Sequence, residues 1–414
     1  MQSSIFFGRK VVAATFVMAL FGWGIGFYGP PIFLYAVMQR THWSLALCSS
    51  AVTVHFLAGI LVVINLPALY KRFGLPAVTR AGVGVLSCGV LGWSLAEQPY
   101  QLFIAAILSG LGWVTMGAAA VNAVIAPWFI ARRPAALAMA YNGASIGGVL
   151  FSSAWVYLIA HVGFTQAAVL VGLLATGVIA MLSITVFNVR PEHLDQHADG
   201  ASHAPPDQIS LADDSLPSIW TDRRFLTLAA AMSLGLFAQI GLISQLFVLL
   251  VEHFSERTAG AAMGLATASA IAGRFLTGWL MPVDADRRAV ACLSYGAQLL
   301  GCLAMAGSGL SPVLLWIGVV LFGSGIGNAT SLPPLIAQAQ FPRQQVQRVV
   351  TLIVATAQGC YAFAPAIFGS IKAMTGVGLI LGLAMLVQAL AIGALVAGRD
   401  RRTPAHGSER RAEL

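Results

Sequence analysis

Residues 225–251 read FLTLAAAMSLGLFAQIGLISQLFVLLV, 27 positions without an Asp, Glu, Lys, Arg, His or Pro. Wound as an α-helix at 1.5 Å per residue the stretch is about 40 Å long, more than the roughly 30 Å hydrocarbon core of a bilayer. It therefore reads as a membrane span, and working outward from it finds the same pattern repeated. Five further apolar runs follow, at 258–282, 289–309, 312–338, 349–371 and 376–398, and six precede it, at 11–36, 45–70, 76–96, 100–126, 135–160 and 165–188. The whole chain agrees: of 414 residues 58% are hydrophobic and 9% charged, with a mean hydropathy of +0.82. A soluble domain carries about 25% charged residues, so a soluble enzyme is excluded and the fold class expected is an all-α polytopic membrane protein with twelve transmembrane helices. Arg9 and Lys10 before the first run resemble a signal peptide, but the run is long, holds Tyr28 and Pro30 and lacks a small-residue cleavage site, so it is read as a retained span.

Basic residues fix the expected orientation. With both termini cytoplasmic, the seven segments on that side hold 19 of the 23 Lys and Arg, among them Lys71, Arg72, Arg132, Arg133, Arg287 and Arg288. Arg40, Arg257 and Lys372 fall outside, and Arg274 lies within a span. This topology accounts for the formal charge of +8, so no nucleic-acid partner is inferred and the lipid bilayer is the expected surroundings. The expected location is the inner (plasma) membrane of a bacterial cell. The five cysteines, Cys48, Cys88, Cys292, Cys302 and Cys360, all sit in apolar runs and imply no disulfide or redox chemistry.

The expected domains are an N-terminal six-helix half, 1–188, a cytoplasmic linker, 189–224, a C-terminal six-helix half, 225–398, and a cytoplasmic tail, 399–414. The linker contains Pro191, Pro205, Pro206 and Pro217 with six aspartates, a composition that cannot bury itself, and a mobile connection is expected. Its His193, His197 and His203 lack supporting cysteines, so no metal is assigned, and nothing in the chain calls for a cofactor. The halves echo each other at an offset of about 213 to 216 residues: Gly110-Leu-Gly112 answers to Gly323-Ser-Gly325, Asn122 to Asn328, Arg132-Arg133 to Arg343 and Gly143 to Gly359. Parallel repeats about an axis along the membrane normal are one of the transporter architectures, with the substrate site between them near the midplane.

At this point the chain resembles the major facilitator superfamily. That family's loop between the second and third spans usually reads Gly-x-x-x-Asp-Arg-x-Gly, and here Pro67-Ala-Leu-Tyr70-Lys71-Arg72-Phe73-Gly74 keeps the Arg and the last Gly but has Pro67 and Lys71 for the first Gly and the Asp. Three stretches further resemble the monocarboxylate porter and oxalate:formate antiporter group: Gly22-Trp-Gly-Ile-Gly-Phe-Tyr-Gly-Pro30 with Trp43-Ser44, the turn Pro127-Trp-Phe-Ile-Ala-Arg-Arg133, and Gly273-Arg-Phe-Leu-Thr-Gly278. The resemblance implies that Arg274 is the group's anion-binding arginine. Ala270 stands where the group has an acid, and Pro31 where animal members have a first-helix lysine.

The residues themselves point to the same arginine. All fifteen Asp and Glu fall in loops, helix ends, the linker or the tail, so Arg274 has no acid at membrane depth to pair with. Burying a lone guanidinium costs at least ~2.5 kcal/mol on insertion scales. A substrate carboxylate held by the planar fork would repay that, whereas the bland alternative is a side chain snorkelling to the cytoplasm. His55 is the other titratable group at membrane depth and is the candidate proton-coupling residue, set against the commoner role of a neutral hydrogen-bonding histidine. Tyr28 and Tyr35, seven apart on one helix face, with Asn122, Asn328, Gln358 and Tyr361 complete the candidate substrate site, and Asn142, Gln239 and Gln245 are further polar candidates. With no nucleotide loop or nucleophile motif, no enzyme is expected. The expected function is a monomeric secondary transporter moving a small organic anion, a monocarboxylate or a related carboxylate, by alternating access as proton symport or anion exchange. The alternatives are an exporter of amphipathic compounds and a non-transporting sensor of the same fold.

Overall fold

The computed structural model describes residues 6–200, 219–282, 285–309 and 311–399. His203, Asp284, three of the linker's six aspartates and the tail from residue 400 lie outside them. The described residues form an all-helical bundle with twelve helical spans long and apolar enough to cross a membrane, from Gly8–Thr41 to Val377–Ala397.

The N-terminal half consists of α1 (Gly8–Gly26), α2 (Pro30–Thr41), α3 (Leu45–Phe73), α4 (Leu75–Leu95), α5 (Pro99–Trp113), α6 (Ala118–Ile125), α7 (Arg133–Val162) and α8 (Phe164–Leu182). The C-terminal half consists of α9 (Arg223–Val251), α10 (Glu256–Leu280), α11 (Arg287–Ala306), α12 (Pro312–Gln340), α13 (Arg343–Tyr361), α14 (Ala364–Thr375) and α15 (Val377–Ala397). Three spans are therefore broken. In the first, Pro30 and Pro31 lack the N–H groups that would continue the helix, and the N–H groups of Phe27 and Tyr28 both turn back to the Trp23 carbonyl, at 3.0 and 2.9 Å. Tyr28 thus lies in the break and Tyr35 in the outer segment, which corrects the expectation that the two share one helix face. The fourth span breaks through a 3₁₀ turn, Val114–Met116, before Gly117, and the eleventh breaks ahead of Pro365.

The repeat read from the sequence has a packing counterpart. A Cβ added at Gly110 would collide with the α3 backbone at His55, and one at Gly323 with the α10 backbone at Ala266. A Cβ at Gly112 would meet α4 at Leu86, and one at Gly325 would meet α11 at Gln298. Equivalent glycines let equivalent helix pairs approach, fourth span on second and third, tenth on eighth and ninth. The halves also differ, since Gly143 abuts the Phe16 backbone while Gly359 faces open space.

Among the described residues, four hydrogen bonds between the halves fall toward the end of the bundle away from the linker. Gln245 Nε2 donates to Ser49 Oγ at 3.1 Å, Ala366 N to Thr53 Oγ1 at 2.9 Å, Tyr35 Oη to Glu256 Oε1 at 3.0 Å, and Ser153 Oγ to the Gly260 carbonyl at 3.5 Å. At that end α14 packs along α3 and α2 along α9, while the linker-end segments α13 and α1 make little or no such contact. The bundle is closed at the far end and parts toward the linker.

The start of the linker is held. The Asp199 carboxylate accepts from the backbone N–H groups of Ile130, Ala131 and Arg132 at 3.1, 2.7 and 3.1 Å, and Asp199 N donates to the Trp128 carbonyl at 2.9 Å. Gln196 Oε1 accepts from Phe7 N, and the Phe6 and Phe7 rings pack on Trp128. Mobility expected across the whole linker therefore does not extend to its first residues, which the turn 127–133 and the chain start clasp together. Burial of Asp199 opposes ionisation, but the three N–H donors and Arg132 outweigh it and hold the carboxyl below its usual range.

Candidate functional site

Arg274 sits on α10, facing the tenth span. A Cβ at Gly327 of α12 would lie 2.9 Å from its Nε and 3.0 Å from Nη2, so the absent side chain is what gives the guanidinium its place. Its Nε is buried with no hydrogen-bond partner, and no aromatic ring among the described residues covers the guanidinium face. Asn328, next to Gly327, donates through Nδ2 to Thr277 Oγ1 at 2.9 Å, one turn along α10 from Arg274. The eighth and tenth spans are thereby fixed to each other on either side of the arginine.

Across the gap stands Tyr28. The helix break directs it toward α10, where it lies beside Thr267 and interacts electrostatically with Arg274. Gly148 of α7 makes room, since a Cβ there would come within 2.6 Å of the Tyr28 ring. One half thus contributes the arginine and the other the tyrosine. Next to Tyr28 a run of rings crosses between the halves: Phe27 at 5.0 Å, then Phe56 of α3 at 6.0 Å, then Tyr361 of α13 at 6.1 Å, these being centroid separations. Trp113, 6% exposed, packs on Phe27 and Phe56 at 6.3 and 6.1 Å, and its buried indole N–H has no partner.

The other sequence candidates lie elsewhere. His55 is 1% exposed and bonded at both ring nitrogens, Nδ1 to Ser109 Oγ and Nε2 to the Gly26 carbonyl, each at 2.8 Å. A carbonyl only accepts, so Nε2 carries a proton, and a neutral ring takes the Ser109 hydroxyl proton at Nδ1. Trp93 Nε1 completes the knot by donating to Ser109 Oγ at 3.1 Å. Tyr35 belongs to the far-end closure with Glu256, its ring 5.2 Å from Phe247. Asn122 Nδ2 donates to the Tyr141 hydroxyl at 2.8 Å and to the Ala118 carbonyl at 2.9 Å, a local tie of α6 to α7. Gln358 lies one turn before Tyr361, half-buried, with no side-chain hydrogen bond among the described residues, as has Asn142. Gln239 is buried in a chain inside the C-terminal half, accepting from Gln298 at 3.1 Å while Gln388 donates to Gln298 at 3.0 Å. Gln245 joins the halves through Ser49. Arg72 of the loop after the second span stays exposed and stacks over Phe73 at 5.1 Å.

The structure therefore brings together Arg274, Tyr28, Asn328 and, through the rings, Tyr361. Sequence reasoning passed over Thr267, Gly327, Phe27, Phe56 and Trp113. The usable signal for the glycine was its place beside an already suspected Asn328, and for the rings their occurrence in the first, second and fourth spans around glycines.

Relatives agree with this architecture. The chain is 26% identical over 275 residues to "MFS-type transporter 1" of Ophiocordyceps sp. (strain BCC 1869), covering 65% of this chain and 57% of that one. It is 24% identical over 285 residues to the "Fujikurins efflux protein" of Gibberella fujikuroi, covering 67% and 54%, so the chain spans little more than half the length of these curated relatives. Both relatives are fungal, which lends no support to the bacterial inner membrane expected above, and neither places the chain in the monocarboxylate group. Among solved structures, a bacterial homolog of the human lysosomal transporter Spinster, inward-facing and unoccupied, superposes with a TM-score of 0.70 over 97% of this chain and 100% of that one at 15% identity. The model of the Major Facilitator Superfamily matches residues 11–365, and on that span, with twelve helical spans in the fold of that transporter, the chain belongs to the major facilitator superfamily.

Proposed function

We propose that this chain is a secondary carrier of an organic anion, with Arg274 binding the acid group and the two halves alternating about it. The observation that carries the reading is the guanidinium at the meeting of the halves with its Nε unpartnered, opposite Tyr28. A half-buried cation whose Nε has no partner can be completed by a ligand, and a carboxylate matches the planar fork. With the termini cytoplasmic, the end tied by Tyr35–Glu256 and Ser49–Gln245 is external, and the gap beneath Tyr28 opens inward. Substrate enters this state from the cytoplasmic side, and one chain supplies both walls. With acids confined to the helix ends and His55 bonded at both nitrogens, protons travel with the substrate or are not coupled.

Proteoliposomes test it. Arg274 stays cationic, so an empty carrier must reorient an uncompensated charge, whereas one loaded with a monocarboxylate is locally neutral. Efflux of labelled carboxylate is expected to run faster with external carboxylate than without it. A second reading, export of amphipathic compounds, is favoured by the efflux protein among the relatives. Transport of lipophilic cations with no carboxylate flux would establish that reading in place of the first.

A further inference from the structure

Resting on that anion reading, we propose that the anion has an aromatic body, an arene carboxylate whose acid group meets Arg274 and whose ring lies against Phe27, Phe56 and Tyr361.

The rings that run on from Tyr28 are not a closed core. Phe27, Tyr361 and Arg274 each keep part of their surface open, although Tyr28, Phe56 and Trp113 are buried. Phe27 ends the first helical segment, its N–H still in register to the Trp23 carbonyl, and the break begins at Tyr28, whose N–H bonds the same carbonyl. Phe27 and Tyr28 meet edge to face, with planes 81° apart, as do Phe56 and Tyr361 at 86°. Such crossed pairs leave a ring face turned away from the partner, available to a third ring.

Chemistry then narrows the ligand. A two- or three-carbon acid has little apolar surface to bury, and its affinity would rest on Arg274 alone. Nothing at this site would distinguish it from inorganic anions. A flat apolar body joined to a carboxylate answers both halves of the site, because aromatic rings favour offset and edge-on neighbours at about 4.5–7 Å beyond the gain from area alone. A bidentate acid group approaches in the guanidinium plane through its N–H edge, and on that edge Arg274 Nε has no partner.

The test is equilibrium binding of benzoate, cyclohexanecarboxylate and acetate to the purified full chain in nanodiscs, for the native protein and for Phe56→Leu, Tyr361→Leu and Arg274→Gln. Benzoate is expected to bind about tenfold tighter than acetate and tighter than cyclohexanecarboxylate, of similar bulk but no π-face. Phe56→Leu or Tyr361→Leu should collapse the benzoate-to-acetate ratio with acetate affinity unchanged, a ratio that general loosening of the bundle would not move selectively. Arg274→Gln should weaken binding of all three about a hundredfold. Equal affinity for acetate and benzoate, both dependent on Arg274, would overturn the aromatic inference and leave the anion reading standing. If no carboxylate binds, the anion reading falls and takes the inference with it.

Discussion

Two arginines near the linker end of the C-terminal half, Arg288 at the start of α11 and Arg274 on α10, meet burial in opposite ways. Arg288 is 1% exposed, yet its donors are engaged: Nε with Gln340 Oε1 at 3.0 Å, Nη1 with Thr227 Oγ1 at 3.1 Å, and Nη2 with the Arg224 carbonyl at 2.8 Å. Arg274 is less buried, but its Nε has no partner and the nearest side chain across the gap is a tyrosine. A cation the chain satisfies for itself, Nη1 also reaching the Leu395 carbonyl of α15 at 3.4 Å, joins four spans into one body. A cation whose Nε the chain leaves unsatisfied is the one the proposed anion site uses.

The largest expected effect lies on the satisfied arginine. Arg288→Ala leaves Gln340, Thr227 and the Arg224 carbonyl without their donor, and each buried acceptor left unsatisfied costs about 1–3 kcal/mol. Thermal unfolding in detergent should show a large drop in Tm or loss of the monodisperse species. An unchanged Tm would break the comparison at its structural end.

Arg274→Gln should do the reverse. It removes a desolvated charge that makes no hydrogen bond at Nε, so Tm should hold or rise. Carboxylate affinity should fall about a hundredfold, the loss of roughly 3 kcal/mol for a charged bidentate contact. Arg274→Lys keeps the charge but not the fork and should recover only part of that affinity. A Tm loss as large as that of Arg288→Ala would mean that Arg274 is structural.

Gly327→Ala sharpens the contrast further. The new methyl would sit 2.9 Å from Arg274 Nε and 2.7 Å from the Ala270 carbonyl, so the guanidinium and the helix pair must both give. Overpacking of this kind costs about 1–3 kcal/mol. Carboxylate affinity should drop about tenfold with a smaller change in Tm, and the same substitution at Gly393, which faces open space, should change neither.

Much of this was legible before the structure, for physical reasons. Twelve apolar runs and a one-sided distribution of Lys and Arg are properties of length and composition, and the bilayer leaves helices as the outcome for them. Arg274 was visible because an unpaired charge among apolar residues is conspicuous anywhere in a span. The partners of the other polar residues were not visible. His55, Asn122 and Gln239 look the same in sequence whether they face a cavity or one another, and only packing revealed the bonds to Ser109, Tyr141 and Gln298. The breaks at residues 27–29 and 114–117 were hidden for a related reason: hydropathy sums over a run and is blind to where a proline or glycine interrupts the helix. Asp222-Arg-Arg and Asp286-Arg-Arg, each an aspartate capping the helix that follows, were readable as N-terminal signals and were passed over.

Asp199 supplies the smallest effect and tests whether the rule for Arg288 extends to a charge nearer the surface. Its carboxylate is as fully partnered, by three backbone N–H groups, but it lies at the linker end of the bundle, in reach of water. Because its folded pKa is lowered, its contribution to stability is present above the ordinary carboxyl range and lost as pH falls through the folded value. From neutral pH down to about 5 the clasp should therefore hold unchanged, with protection declining only in stronger acid, below the usual carboxyl range. Amide exchange at residues 130–132, followed by mass spectrometry across pH, reads it directly after correction for the intrinsic rate. Asp199→Ala should raise exchange there several-fold from neutral pH down to about 5, the difference closing in stronger acid, while leaving Tm and carboxylate binding nearly unchanged. Loss of protection near neutral pH would show the carboxyl raised instead of lowered, and a Tm loss comparable to that of Arg288→Ala would mean that partnering alone, regardless of burial, sets what a charge contributes.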